Sequence, residues 1–143
     1  MNPRPIETAA AKPKLALLPP DRLKPTEEFL PERLGEVAAR VLADGGWKTP
    51  ILVERRTLVV MDGHHRREFA LRHGLMLVPC LLLDYADVAL EARRDDLLVT
   101  PEEVIARGLE GRPYPPKSTR HTPAAALDCS CWFALDELLP PRA

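Results

Sequence analysis

The sequence lacks most of the features that would take it out of the ordinary globular class. No apolar run approaches the roughly 18 residues of a membrane span, so no membrane association is expected. The N-terminus has no apolar signal core, which makes the cytoplasm the expected location. Charge of one sign is also missing. The net charge is −1, which argues against a general polyanion-binding face, and nucleic acid is a disfavoured partner without a local basic patch. Cysteine is scarce. Three residues cannot make an even disulfide set, and the Cys129-x-Cys131 pair has no second Cys/His pair at zinc spacing. A metal or redox role for that pair is the lesser reading, and Cys80, in an apolar run, reads as a buried thiol. Internal repeats are absent.

What is present suits one domain with tails. The chain has 143 residues, 45% apolar and 29% charged, enough to bury a core without staples. Its 16 prolines gather near the ends and in one loop, and read as extended tails and turns. Residues 1–14 are expected to be a flexible arm, 15–122 the domain, and 123–143 a C-terminal tail with a short packing helix. The run Leu15–Leu18 reads as a strand. Leu30, Leu34, Val37, Ala38, Val41 and Leu42 share one face of a 3.6-residue period, opened by Pro31 and stopped by Gly45-Gly46. Pro50–Val53 and Thr57–Met61 predict a hairpin. A second helix is expected from His64 to His73, stopped by Gly74. Val78–Leu83 reads as a buried strand, and Val88–Arg93 as a further one. Thr100-Pro101-Glu102-Glu103 predicts a helix with a capping box, ended by Gly111. The fold class is therefore mixed, α+β: a small mixed sheet with flanking helices.

The densest chemistry is Asp62-Gly63-His64-His65-Arg66. A strand runs directly into a helix there. A helix N-terminus offers unpaired N–H groups and partial positive charge. Gly63 allows close backbone approach, and His64, His65 and Arg66 are expected to add donors and positive charge. Phosphate is the commonest anion that fits such a place. Asp62 would hold Mg²⁺ or take a proton from a nucleophile. The plainer alternative makes Asp62 the helix cap and the histidines surface residues. A zinc site is disfavoured, because adjacent helical positions point about 100° apart.

A second cluster, Lys117-Ser118-Thr119-Arg120-His121, follows Tyr114-Pro115-Pro116 and reads as a stiff basic loop able to hold a phosphate chain. Its alternative is a solvated tail. Glu27-Glu28 precedes the long helix. Two carboxylates there are ordinary dipole partners, and become catalytic candidates if the fold brings them near Asp62. His73 reads as a dipole partner at its helix end, Tyr85 as a candidate pocket residue, and Trp47 as core or pocket wall.

These motifs, in this order, resemble the ParB/sulfiredoxin-like superfamily. Within it the closer resemblance is to the free serine kinases, over residues 15–122. It is carried by Leu23-Lys24-Pro25-Thr26-Glu27-Glu28, Asp62–Arg66, Val78–Tyr85 and Tyr114–His121. The resemblance implies transfer of a phosphoryl group from ATP or ADP, with Mg²⁺, to a small hydroxyl acceptor such as L-serine. It implies a general base at Glu27 or Glu28. It also implies nucleotide phosphate or Mg²⁺ at Asp62, His64, His65 and Arg66, and phosphate at Lys117, Ser118, Thr119, Arg120 and His121. Thr26 stands where many relatives have histidine. A non-catalytic ParB-like nucleotide-binding or DNA-associated module is the alternative, although no helix-turn-helix follows the core. A sulfiredoxin-like reductase would want a cysteine at the turn, where His64-His65 stand. The acceptor, the nucleotide preference and the oligomeric state are left open by the sequence.

Overall fold

The computed structural model describes residues 12–141. The expected arm lies mostly outside the described residues. Strand β1 (Lys14–Leu18) enters a four-stranded sheet with β3 (Ile51–Glu54), β4 (Val60–Asp62) and β5 (Val78–Leu83), in the order β1-β5-β3-β4. β5 pairs antiparallel with β1 and parallel with β3, and β3 pairs antiparallel with β4. The sheet is thus mixed. A parallel pair needs a crossover, and β4 with helix α2 (His64–Arg72) supplies it between β3 and β5.

Helix α1 (Pro31–Asp44) packs beside α2 and turns its apolar stripe into the core because that stripe has helical period: Leu34, Val37 and Val41 are buried. Gly45, at φ 71°, ends it in the left-handed conformation. The main core joins these residues to Trp47, Ile51, Val53, Phe69, Val78 and Cys80. Cys80 is a free, fully buried thiol.

Beyond β5, strand β6 (Val88–Ala92) pairs antiparallel with β7 (Thr119–Pro123), and helix α3 (Pro101–Glu110) lies between them in sequence. The expected stiff loop is corrected here. Thr119, Arg120 and His121 lie on a strand, because β6 supplies a partner that no local pattern reveals. Thr100 caps α3 by accepting from the Glu103 N–H, but the expected reciprocal half of a capping box is replaced by an ion pair from Glu103 to Arg107 at 3.0 Å. α3 approaches closely through Gly108. A methyl there would meet Val59 Cγ1 at 2.6 Å and Thr26 Cγ2 at 3.0 Å.

The C-terminal segment packs back on the domain. β2 (Gly46–Trp47) pairs with β8 (Phe133–Ala134), and a single turn, α4 (Leu135–Leu138), follows. Leu138 is fully buried in the main core, and its carbonyl accepts from Met76 N at 2.8 Å. Cys131 packs against this core while Cys129 packs against the smaller cluster of Leu52, Met61, Leu81 and Leu83. Among the described residues no helix is long and apolar enough to cross a membrane.

Candidate functional site

The turn between β4 and α2 is built by one glycine. Gly63 takes φ 109°, a left-handed conformation that side chains disfavour, with Ile51 Cγ1 only 3.1 Å from where a Cβ would lie. No side chain caps α2, so its N-terminal positive end stays open. Asp62 therefore is not the cap. It ends β4, is largely exposed, and lies 3.9 Å from Arg66.

The two histidines have unexpected work. His64 Nε2 accepts from the backbone N–H groups of Thr26 at 3.0 Å and Glu27 at 3.2 Å. His65 Nε2 accepts from the Leu30 N–H at 3.0 Å. A ring nitrogen that accepts cannot carry the proton, so His64 is neutral with its proton on Nδ1. Burial, then the charges of His121, Arg67 and His65, push the His64 pKa down to about 3. Burial and Arg33 also lower His65. The expected positive charge on these histidines is corrected: the turn's cation is Arg66 alone. What the histidines do is fasten the Thr26–Leu30 segment to the helix that carries the turn. Thr26 completes the joint by donating from Oγ1 to the Val60 carbonyl at 2.8 Å, fully buried.

That segment is also zipped to the later cluster. Tyr114 N donates to the Thr26 carbonyl and Glu28 N to the Tyr114 carbonyl, each at 2.8 Å. The Glu27 carboxylate then gathers the following residues. Oε2 accepts from Lys117 N at 3.0 Å, and Oε1 accepts from Thr119 N at 3.1 Å and Thr119 Oγ1 at 2.9 Å. Lys117 takes φ 61° to make this turn. Two backbone N–H groups converging on one anion form the kind of concavity that favours negative charge.

The sequence-selected residues divide at this point. Asp62, Gly63, His64, His65, Arg66, Glu27, Glu28 and Thr119 all border one cavity of ≈ 410 Å³. A smaller polar cavity of ≈ 190 Å³ adjoins it and is bordered by Arg120 and His121 as well as Glu27, Asp62, His64 and Thr119. Lys117 borders neither, and its side chain is exposed. Ser118 is fully buried, and its hydroxyl donates to the Pro115 carbonyl at 2.6 Å, so it braces the turn. His121 is buried with Nε2 2.9 Å from the Tyr85 hydroxyl. Burial pushes its pKa down to about 4, partly offset by the Met61 backbone. It too is a neutral wall. His73 stacks on Phe69 with centroids 4.2 Å apart, away from both cavities.

Several cavity residues escape a sequence reading. Arg33 and Arg40 of α1 border the larger cavity with Arg66. Burial lowers the Arg66 pKa, Asp62 opposes this, and Arg33 and Arg40 add repulsion. Arg33 is half exposed and paired with Glu36 at 3.2 Å and Arg40 is exposed, so Arg66 is the buried member of this cationic group. Arg93 borders both cavities. Its only sequence signal is the Arg93-Arg94 pair after a strand, which carries little alone.

The donor set fits Mg²⁺ in one way only. Among the described residues no three His, Cys, Asp or Glu side chains form a metal cluster. Mg²⁺ commonly takes one or two carboxylates and completes its shell with substrate phosphates and water. Asp62, at the mouth of the helix N-terminus, suits that shared arrangement.

No protein-family model matches the chain. It is 28% identical over 92 residues to a ParB-like protein of Sulfolobus acidocaldarius, covering 64% of this chain and 46% of that protein. It is 33% identical over 75 residues to an ATP-dependent L-serine kinase of Staphylothermus marinus, covering 50% of this chain and 30% of that protein. The chain therefore spans less than half the length of these curated relatives. Among solved structures, a free serine kinase in complex with AMP superposes with a TM-score of 0.76 at 16% identity, covering 91% of this chain and 95% of that one. The fold is that of the ParB/sulfiredoxin-like proteins and free serine kinases, as the motif order implied.

Proposed function

We propose that the chain is a nucleotide-dependent phosphotransferase that moves a phosphoryl group from ATP or ADP to a small hydroxyl acceptor such as L-serine. One observation carries the reading. Glu27 joins the Asp62–Arg66 turn, through His64, to the Thr119 segment, and borders both cavities.

In this reading the nucleotide occupies the larger cavity. Its base would lie against Val37, Val41 and Trp47, which border that cavity, and its phosphates would meet the α2 N-terminus and Arg66. Asp62 would hold Mg²⁺, which when bound neutralises charge on the transferred group. Glu27 is the base. A carboxylate has about four acceptor positions. Three are used by Lys117 N, Thr119 N and Thr119 Oγ1, and the open one is on Oε2. That oxygen takes the acceptor's hydroxyl proton as the hydroxyl oxygen bonds to the terminal phosphorus and the bond from phosphorus to the nucleotide oxygen breaks. The chain's own contribution is positioning and charge placement, which is most of what phosphoryl transfer asks of a protein.

The test is direct. Purified protein is incubated with Mg²⁺, L-serine and either ATP or ADP, and followed by phosphorus NMR. Phosphoserine with the matching lower nucleotide is expected. If neither donor yields a phosphorylated product, the transferase reading is wrong. The likeness to a ParB-like protein favours a second reading, a non-catalytic nucleotide-binding module. Retained ADP binding without transfer to any small alcohol would select it.

A further inference from the structure

We propose that Arg93 selects the acceptor by binding its carboxylate in the smaller cavity. This rests on the transferase reading for the word acceptor, but not for the binding itself. Arg93 follows β6 and is fixed at its backbone, where its N–H donates to the Ser118 carbonyl at 2.8 Å. Its side chain has no ion-pair or hydrogen-bond partner among the described residues, and the residue borders both cavities. A guanidinium held at its base, with its fork unused, is equipped for bidentate recognition of a planar anion.

Charge decides which anion. The larger cavity has five cations, Arg33, Arg40 and Arg66 among them, against four carboxylates, and adds the open α2 N-terminus for phosphates. In the smaller cavity Arg93 and Arg120 face two carboxylates, Glu27 and Asp62, while His64 and His121 are neutral. That balance is neutral, so it offers a polyanion no excess of cations and accommodates one negative group beside a neutral or positive one. Size points the same way. At ≈ 190 Å³ the cavity is below the roughly 300 Å³ at which pockets for drug-sized ligands begin, so it admits a compound of a few heavy atoms. A small hydroxy acid or amino acid, with its hydroxyl toward Glu27, satisfies these conditions.

The experiment measures binding of L-serine, D-glycerate, ethanolamine and glycerol by ligand-observed NMR, with AMP present so that no turnover intervenes. Serine and glycerate are expected to bind at least about tenfold more tightly than ethanolamine and glycerol, the scale of one charge-assisted hydrogen bond. Arg93→Met is expected to remove that preference while AMP affinity changes less than about threefold. The side chain is exposed and unpartnered, so the variant should fold, which thermal melting verifies. Equal binding of ethanolamine and serine overturns the proposal. So does loss of AMP in place of serine in the variant, or binding of none of the four compounds. The two readings fail separately. Carboxylate binding lost in Arg93→Met, in a protein that transfers nothing, leaves this inference and removes the transferase. Transfer with an unchanged acceptor KM in Arg93→Met does the reverse.

Discussion

The Glu27 carboxylate and the Thr119 hydroxyl meet at 2.9 Å across 92 positions of sequence. This contact closes the site. One side is tied to the Asp62–Arg66 turn through His64, and the other is the edge of β7.

Disturbing that contact should separate chemistry from binding. Glu27→Gln places an amide where three donors converge and removes the base, so transfer should fall by at least about a hundredfold, the general-base contribution. ADP affinity, measured by calorimetry, should stay within a few-fold. Thr119→Val keeps the base and loses one bond to a charged group, costing about 1.5–3 kcal/mol in urea unfolding. Equal transfer rates in Glu27→Gln and the parent chain would remove Glu27 from catalysis.

Acid should loosen the joint made by His64. Its pKa falls from the ordinary 6.5 to about 3 on folding, so between those values the unfolded chain binds more protons. The stabilisation is complete above pH 6.5 and is lost as pH falls toward 3; His121 adds the same trend down to about 4. Urea midpoints at pH 7.5 and 4.5 should differ strongly in the parent chain. They should differ less in His64→Gln, whose amide oxygen can accept near the Nε2 position without titrating. An unchanged pH slope in that variant would contradict the assignment.

Arg66 should matter for phosphate more than for folding. It lies in the first turn of the uncapped α2, with a side chain 22% exposed. Arg66→Met should weaken ADP by about tenfold or more, as loss of a charge-assisted bond requires. Arg56→Met, at a side chain 81% exposed, is the control and should leave ADP affinity unchanged. Titration calorimetry decides, and parallel effects of the two variants would count against a phosphate role for Arg66.

Leu138 tests whether the C-terminal turn belongs to the domain. It is fully buried in the main core, so Leu138→Ala should cost about 2–5 kcal/mol. Its neighbour Leu139 is 38% exposed, and Leu139→Ala should stay within about 0.5 kcal/mol. Chemical denaturation distinguishes them, and similar small effects would make the segment an appendage.

Much of this was legible locally. Helical period in α1, the Pro31 and Gly45 boundaries and the Gly63 turn are properties of neighbours in sequence, so a pattern records them. β7 was not legible, because Thr119–Pro123 is a strand only through its pairing with β6. Nor was the neutrality of His64. Histidine beside arginine at a helix start reads as charge, and the opposite holds only because the Thr26 and Glu27 N–H groups arrive from 38 and 37 positions away.

The sequence by itself determined where phosphate is expected, since a glycine turn into an uncapped helix carries its donors and dipole within a few residues. It also placed carboxylates and hydroxyls at Glu27, Asp62 and Thr119. Tertiary structure alone decided how they are used. It made the histidines braces, withdrew Ser118 into a turn, left Lys117 outside, and brought Arg93 to the boundary of two cavities. The physical reason is that hydrogen-bond direction, burial and ionisation depend on groups distant in the chain, which no local run of residues specifies.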